Sequence, residues 1–397
     1  MLLSNRVRDL SPSSTLRITA LANKLRLEGL DVVSFGAGEP DFDTPDFIKA
    51  SAIEAIRSGF TKYTPSTGTP ELKKAIQEKF KKENNLQYSP EQIIVCSGAK
   101  HCLFNIILAL INEGDEVIMG LPYWVSYPEM VKLAGGVRRF IQGKKENSFK
   151  LTAKEIKDAV SAKTKLLILN SPSNPTGAVY DRQELEDIAD LCVARNIYVI
   201  SDEIYEKLIY DGLKHISIAS LNSEIYKRAF TVNGVSKAYS MTGWRIGYFA
   251  GPLELAEAVK NLQDHSTSNP CSISQKAALS ALTYPDEWTK KMREEFQVRR
   301  DYLINRIDKI PSLSYVRPAG AFYLFCDISK TGLKSQDFST RLLNEAQVAV
   351  IPGDGFGCDE YIRLSFALNL DTIKKGIDKL ESWLKKILFT PLENKVL

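Results

Sequence analysis

Apolar positions recur along the chain with two different periods. Over Leu16–Gly29, Asp46–Ser58 and Pro70–Asn84 they return every three or four residues, the spacing of helices that bury one face. The second and third open on an acidic residue or a proline, and the first stops at a glycine. Lys62–Gly68 between them is polar and reads as a loop. From about residue 90 the pattern changes to short, unbroken apolar runs. Ile93–Cys96, Glu116–Met119, Leu166–Leu169, Ile197–Ile200, Ala229–Val232 and Ile246–Ala250 read as strands, with helices at Leu103–Ile111 and Gln183–Arg195. Strands apolar at every position are buried on both faces, which predicts a parallel sheet packed between helices. Ligands of such sheets sit beyond the carboxyl ends of the strands, so the residues after each strand carry the interest.

After about residue 290 the rhythm changes again. A long charged helix over Asp286–Ile310 leads to strands at Ser314–Val316, Ala321–Cys326 and Tyr361–Phe366, with helices at Ser335–Glu345 and Asp371–Leu388. This predicts a second, smaller α/β unit. The N-terminal segment is expected to join it, because chain ends often lie together. The expected division is 1–45 as an N-terminal arm and part of the smaller domain, 46–289 as the large domain, and 290–397 as the rest of the smaller domain.

Composition narrows the class. A chain of 397 residues has room for two or three domains and for a core without staples. Lys plus Arg is 52 and Asp plus Glu is 48, a net +4, with no concentrated basic face to suggest nucleic acid. The runs Lys73–Lys74 and Lys81–Lys82 alternate with Glu71, Glu78 and Glu83 and read as a solvated helix face. The six cysteines, at 96, 102, 192, 271, 326 and 358, form no CxxC pair, and there are three histidines, so no metal site is expected. Most of the cysteines read as small core residues. No disulfide framework or secretion signal is legible, which makes a reducing cytoplasm the expected compartment. The longest apolar run, Ile106–Ile111, is far short of the ~20 residues that span a bilayer.

Candidate chemistry follows the strand ends. The 23 residues of Ala229–Gly251 hold two charges, Lys237 and Arg245. Either both side chains snorkel to water, or something anionic completes them. In the second case Lys237 is an amine nucleophile toward a carbonyl, and Arg245 a planar fork for phosphate or carboxylate. Ser97-Gly98-Ala99-Lys100 joins a strand to a helix N-terminus, either an anion site or an ordinary helix opening. Asn174, in Ser171–Gly177, directs an amide at a ligand or belongs to a plain turn. Asp202 ends an apolar strand, placed to hold a cationic ring nitrogen or to cap a helix. Trp124 stacks on a planar cofactor or fills the core. Arg363 shares a strand face with Tyr361 and Ser365, either a solvent face or a carboxylate site.

The order of these signals is specific. Ser171–Gly177, Asp202–Tyr205, Ser236-Lys237, Met241–Gly247 and Arg363-Leu-Ser resemble class I pyridoxal-phosphate aminotransferases of fold type I. Gly36–Pro45 and Lys62-Tyr63 add to the likeness, which spans roughly residues 10 to 390 and is similar to the bacterial aspartate aminotransferase subgroup I-gamma. The resemblance implies an α/β fold: a large domain with a mixed, mostly parallel seven-stranded sheet between helices, plus a smaller α/β domain. It implies pyridoxal 5'-phosphate as cofactor, amino acids and 2-oxo acids as substrates, and a homodimer with sites shared across the interface. By the same resemblance, Lys237 is the Schiff-base lysine and proton carrier. Asp202 holds the ring nitrogen, while Tyr205 and Asn174 hold the ring oxygen. Ser236, Arg245, Gly98 and Ala99 cup the phosphate and Trp124 stacks on the ring. Tyr63 reaches the phosphate of the neighbouring subunit. Arg363 grips the substrate α-carboxylate, with Asn174 and the backbone of Gly38 assisting. Lys100, beside the phosphate loop, matches a lysine associated with the distal carboxylate of aspartate or glutamate; a helix N-terminus is otherwise a poor place for a cation. Thr15 with Lys100 resembles members that accept prephenate. Ala99-Lys100-His101 departs from the Gly-Lys-Gln often found there, and His101 bears on how Lys100 is held.

The implied reaction is L-aspartate plus 2-oxoglutarate giving oxaloacetate plus L-glutamate by ping-pong turnover. Rivals with the same cofactor residues are an aromatic or prephenate aminotransferase and a β-lyase. A transcriptional sensor with an aminotransferase-like domain would need a DNA-binding module ahead of residue 10, where the sequence leaves no room for one. An unrelated nucleotide-binding α/β protein would lack the yellow absorbance of the bound cofactor.

Overall fold

The computed structural model describes residues 4–8, 10 and 14–389. A helix, Ser14–Leu27, precedes a two-residue strand, β1 (Val33–Ser34). The helices Asp46–Arg57 and Pro70–Asn84 follow. The second begins at Thr69, whose hydroxyl accepts the Leu72 N–H, with proline at the first helical position where its missing N–H costs nothing.

Seven strands then build the main sheet: β2 (Ile93–Cys96), β3 (Glu116–Leu121), β4 (Val137–Gln142), β5 (Thr164–Asn170), β6 (Tyr198–Asp202), β7 (Ala229–Gly234) and β8 (Gly247–Ala250). Their spatial order is β2-β8-β7-β6-β5-β3-β4. Only β8 runs antiparallel to its neighbours, so the expected mostly parallel α/β sheet is present. The unbroken apolar runs have the expected cause. Ile93 and Val95, Ile118, Leu167 and Leu169, and Val199 pack into one buried cluster. The alternate residues Ile94 and Cys96, Val117 and Met119, Leu166 and Ile168, and Ile200 pack into another, with the helix Ala99–Leu110. Successive side chains point to opposite faces, and helices cover both.

β4 carries no such run. It is an exposed edge strand whose sequence, Val-Arg-Arg-Phe-Ile-Gln, faces solvent almost throughout, which is why its pattern predicts nothing.

Beyond the helix Glu287–Ile307 lies a second sheet. β9 (Ser314–Tyr315) pairs with β10 (Tyr323–Asp327). The chain returns through β11 (Val348–Ala349), β12 (Ile351–Pro352) and β13 (Tyr361–Ser365), giving the order β12-β13-β10-β9. β1 pairs in parallel with β11, and the Ser365 N–H donates to the Phe35 carbonyl at 2.8 Å, so the segment after the first helix is built into this second unit. Among the described residues no helix is long and apolar enough to cross a membrane.

A buried polar network braces the segment after β6. Glu203 is fully buried; Ser201 Oγ and Ser217 Oγ donate to it at 2.8 and 2.7 Å, and His215 Nε2 lies 2.7 Å away. Glu206 pairs with Lys79 and accepts from Asn84 Nδ2 at 2.8 Å. Ligand atoms of Glu203, Glu206 and His215 lie within 4.8 Å of one another, and the Lys79 ammonium supplies the positive charge there. The network fixes Glu203, beside the site residue Asp202, and Glu206, beside the site residue Tyr205.

Candidate active site

One cleft, with a volume of about 1290 Å³, opens beyond the carboxyl ends of the central strands. Gly38, Ala99, Lys100, Trp124, Asn174, Asp202, Tyr205, Ser236, Lys237, Arg245 and Arg363 all line it. They come from seven separate stretches of sequence, brought together by strand register. Asn170 and Asp202 are partners at the ends of β5 and β6, and the Asn170 amide donates to the Asp202 carbonyl at 2.9 Å. Asn170 Oδ1 in turn accepts the Asn174 N–H at 2.8 Å, which pins the Ser171–Gly177 turn to the strand end.

Asp202 is buried. Tyr127 Oη donates to its carboxylate at 2.6 Å and the Ile204 N–H at 3.3 Å. Burial pushes its pKa up to about 6, against the opposing pull of the Tyr127 hydrogen bond. No lysine, arginine or histidine among the described residues forms an ion pair with it, so it is a carboxylate awaiting a cation.

Lys237 is half-buried, and its Nζ donates to the carbonyl of Gly38. Burial lowers its pKa to about 8; the Glu39 carboxylate pulls the other way, and Arg363 and Arg245 add to the lowering. The reading in which Lys237 snorkels to water does not hold.

Arg363 contradicts the reading of its strand as a solvent face. Its residue is 2 % exposed, because β13 is an inner strand flanked by β10 and β12. Its Nη1 donates to Asn174 Oδ1 at 3.0 Å and its Nη2 to the Gly36 carbonyl at 3.2 Å. The guanidinium lies 4.2 Å from the centre of the Tyr323 ring. Tyr323 occupies β10 diagonally across from Arg363, on the same face. The Nε is buried without a partner, and no carboxylate among the described residues pairs with the group. Burying an unpaired guanidinium is costly, and a carboxylate ligand removes the cost.

The phosphate-loop residues also meet. Gly98, with φ of 93°, caps the helix Ala99–Leu110. A Cβ there would lie 2.3 Å from Arg245 Nη2, the movable end of a long side chain, so it is the backbone conformation that calls for glycine. Arg245 is exposed, yet its guanidinium folds back to donate to the carbonyls of Thr242 at 2.9 Å and Ser97 at 3.4 Å. The His101 amide donates to the Gly98 carbonyl at 2.9 Å, while the amides of Ala99 and Lys100, the first two helical residues, have no intrahelical acceptor. Lys100 Nζ stands 5.0 Å from the Trp124 ring centre, and its pKa is lowered by burial and by Arg245.

Two expected residues stand apart. Gly98 lies beneath Arg245 and lines no part of the cleft. Tyr63 is 92 % exposed and lies outside the cleft of its own chain. The side chain of Thr15 lies outside the described residues.

The structure adds partners that sequence reasoning missed. Tyr127 holds Asp202, and Tyr323 bonds Tyr205 Oη at 2.9 Å while stacking on Arg363. Thr242 donates to Glu39 at 2.6 Å across the cleft mouth. Tyr127 stands three residues after the candidate Trp124. Tyr323 had a signal only in the pairing of β10 with β13, which no local pattern encodes.

The chain is similar to known proteins over nearly its whole length. The family model described as aminotransferase class I and II matches residues 30–380. An aspartate aminotransferase of Bacillus sp. strain YM-2 is 51 % identical over 389 residues, covering 97 % of this chain and 99 % of the relative. A probable aspartate/prephenate aminotransferase of Aquifex aeolicus is 48 % identical over 390 residues, covering 97 % and 99 %. The solved structure of the Thermus thermophilus aspartate aminotransferase with maleate superposes with a TM-score of 0.93 at 43 % identity, covering 96 % of this chain and 99 % of that one.

Proposed function

The chain belongs to the class I and II aminotransferases, and on that premise we propose that its cleft binds pyridoxal phosphate and moves the amino group of L-aspartate to 2-oxoglutarate. One observation carries the reading: a buried, anion-free Arg363 faces the same cleft as a lysine and a cation-free buried carboxylate. Those three groups lack respectively a carboxylate, a carbonyl and a protonated ring nitrogen, and one amino acid on this cofactor provides all three. When bound, pyridoxal phosphate supplies that carbonyl and a protonated ring that takes up the electron pair released at the substrate α-carbon.

The chain's own residues do the rest. Asp202, oriented by Tyr127, keeps the ring nitrogen protonated. Tyr205, held by Tyr323, and Asn174 meet the ring oxygen. Ser236, Arg245 and the Ala99 amide hold the phosphate, the expected Gly98 amide being committed to the Cys96 carbonyl at 2.7 Å, and Trp124 covers the ring. Arg363, with Asn174 and Gly38, orients the substrate α-carboxylate so that the α-hydrogen points at Lys237. Lys237 Nζ would take that proton and pass it to the carbon of the cofactor's former carbonyl within the same half of turnover, and would carry one back to the α-carbon in the second half; the amino group held on the cofactor between the halves gives ping-pong kinetics.

The lowered pKa has a direct consequence. A pKa near 8 leaves far more neutral amine at pH 7 than an ordinary lysine at 10.5. Capture of pyridoxal phosphate by cofactor-stripped chain is expected to accelerate as pH rises and to level off just above 8. Stopped-flow absorbance against pH measures this. A rate still climbing steeply near 10.5 would remove the depressed amine from the account.

Lys100 is the candidate clamp for the distal carboxylate: it lines the cleft and pairs with no carboxylate among the described residues. Lys100→Ala is expected to lower kcat/KM for aspartate and glutamate about 10- to 100-fold, the worth of a charged hydrogen bond, and to spare apolar donors. Equal losses for aspartate and leucine would remove Lys100 from this role. Relatives named as probable aspartate/prephenate aminotransferases keep prephenate as the second reading, which an acceptor panel decides.

A homodimer belongs to the same proposal. Tyr63 is 92 % exposed, and Ile53 and Ile56 on the nearby helix are 48 and 55 % exposed. A second copy would cover them and receive Tyr63 at its phosphate site. Sedimentation is expected to give a dimer, and Tyr63→Phe to weaken cofactor binding about 3- to 10-fold. A monomer, or unchanged affinity, would contradict it. The division into an N-terminal arm with part of the smaller domain (1–45), a large domain (46–289) and a C-terminal part (290–397) is supported by two buried clusters within 46–289, and by a third that joins Val33 and Phe35 to residues beyond 290, though it also takes in Tyr205, Leu208 and Tyr210. The cytoplasm as compartment is supported by six free cysteines, five of them buried.

A further inference from the structure

His101 takes no part in the chemistry above. It is the third residue of the helix Ala99–Leu110 and lines the cleft. Its Nδ1 accepts the backbone N–H of Ser97 at 3.3 Å. The Ser97 carbonyl accepts Nη2 of Arg245 at 3.4 Å. Ser97 is therefore gripped on both sides of its backbone, by an imidazole and by a guanidinium.

The need for this grip follows from Gly98. Helices of this kind usually open on Ser, Thr, Asp or Asn, whose side chain satisfies a first-turn amide. The positive φ of Gly98 disfavours any side chain at the cap, and no side chain caps this helix. In a capping box the third helical residue reaches back to a backbone N–H as well. His101 supplies that half alone, one residue further back. With Nδ1 as acceptor the ring proton sits on Nε2 and the ring is neutral, since an imidazolium would set N–H against N–H. Burial, which lowers the pKa of His101, favours the same form.

We infer that His101 is a positioning residue for the phosphate cradle, fixing Ser97, and with it the strand-to-helix turn, so that the Ala99 amide at the helix start is set before the phosphate arrives. This rests on reading the cleft as a pyridoxal-phosphate site. It assigns His101 to the phosphate end alone, acting through the Ser97 backbone.

The test compares pyridoxal phosphate with pyridoxal, which has the same ring and aldehyde without the phosphate. Dissociation constants are measured by visible absorbance on cofactor-stripped full chain. His101→Leu, which keeps bulk and loses the acceptor, is expected to weaken pyridoxal phosphate about 5- to 10-fold, the worth of one hydrogen bond. Pyridoxal affinity is expected to stay unchanged. His101→Gln, with an acceptor oxygen, is expected to stay within about twofold of the parent chain for both ligands. Unchanged pyridoxal-phosphate affinity in His101→Leu would overturn the inference. An equal loss for pyridoxal, or an equal loss in His101→Gln, would overturn it too. Should His101→Leu not fold, hydrogen exchange at the Ser97 amide decides between the parent chain and His101→Gln: retained protection supports the inference and lost protection overturns it. Failure of the parent chain to take up pyridoxal phosphate would instead defeat the cofactor reading itself.

Discussion

Lys237→Ala is expected to lower kcat by at least about 10⁴-fold, the upper end of what a positioned proton carrier contributes. The chain is expected to keep its fold, because Lys237 Nζ makes a single hydrogen bond, to the Gly38 carbonyl, at the wall of an open cleft. Its removal also relieves a cation that burial disfavours, to judge from a pKa lowered to about 8. Turnover and circular dichroism on the same sample separate chemistry from folding. The variant is expected to retain secondary structure and lose the visible absorbance of bound cofactor after exhaustive dialysis. Turnover within tenfold of the parent would remove Lys237 from the chemistry.

Arg363→Leu is expected to cost about 10²- to 10⁴-fold in kcat/KM for every amino acid tried, the range for removing one member of a buried ion pair. Its guanidinium is already committed at two nitrogens, to Asn174 and to the Gly36 carbonyl, and stacked on Tyr323. What remains is a fixed edge whose Nε has no partner. Arg363→Lys is expected to recover little, since an ammonium lacks the planar fork and the stacking face. Cofactor affinity is expected to be unchanged in both variants, which distinguishes a substrate clamp from a general collapse of the cleft. A loss under tenfold, or a parallel loss of cofactor, would contradict the assignment.

Much of this was legible in the sequence because the signals are local. The strands buried on both faces are apolar at every position, so Ile93–Cys96 and Leu166–Leu169 announced themselves. β4 did not, because an exposed edge strand has no apolar face to display. The strand holding Arg363 alternates as an exposed strand does, yet both of its neighbours bury it. Periodicity reports what a side chain prefers; it does not report that a guanidinium has been buried to await an anion. The same limit hid Tyr323, which reaches Tyr205 and Arg363 only through pairing between distant strands. Trp124, Asp202 and Lys237 stood beside strand ends, where the parallel-sheet rule directs attention, and each opens into the cleft. His101 was visible as a departure from the family pattern, and its bond to Ser97 supplied a role for it.

The central claim is amino transfer in two separable halves on one lysine-bearing site. The most direct test adds L-aspartate alone to the cofactor-loaded chain and measures oxaloacetate together with the visible spectrum. The account predicts about one oxaloacetate per active site with loss of the yellow absorbance, then recovery of that absorbance with release of glutamate when 2-oxoglutarate follows. Oxaloacetate formed only when both substrates are present, or an unchanged spectrum with aspartate, would contradict it.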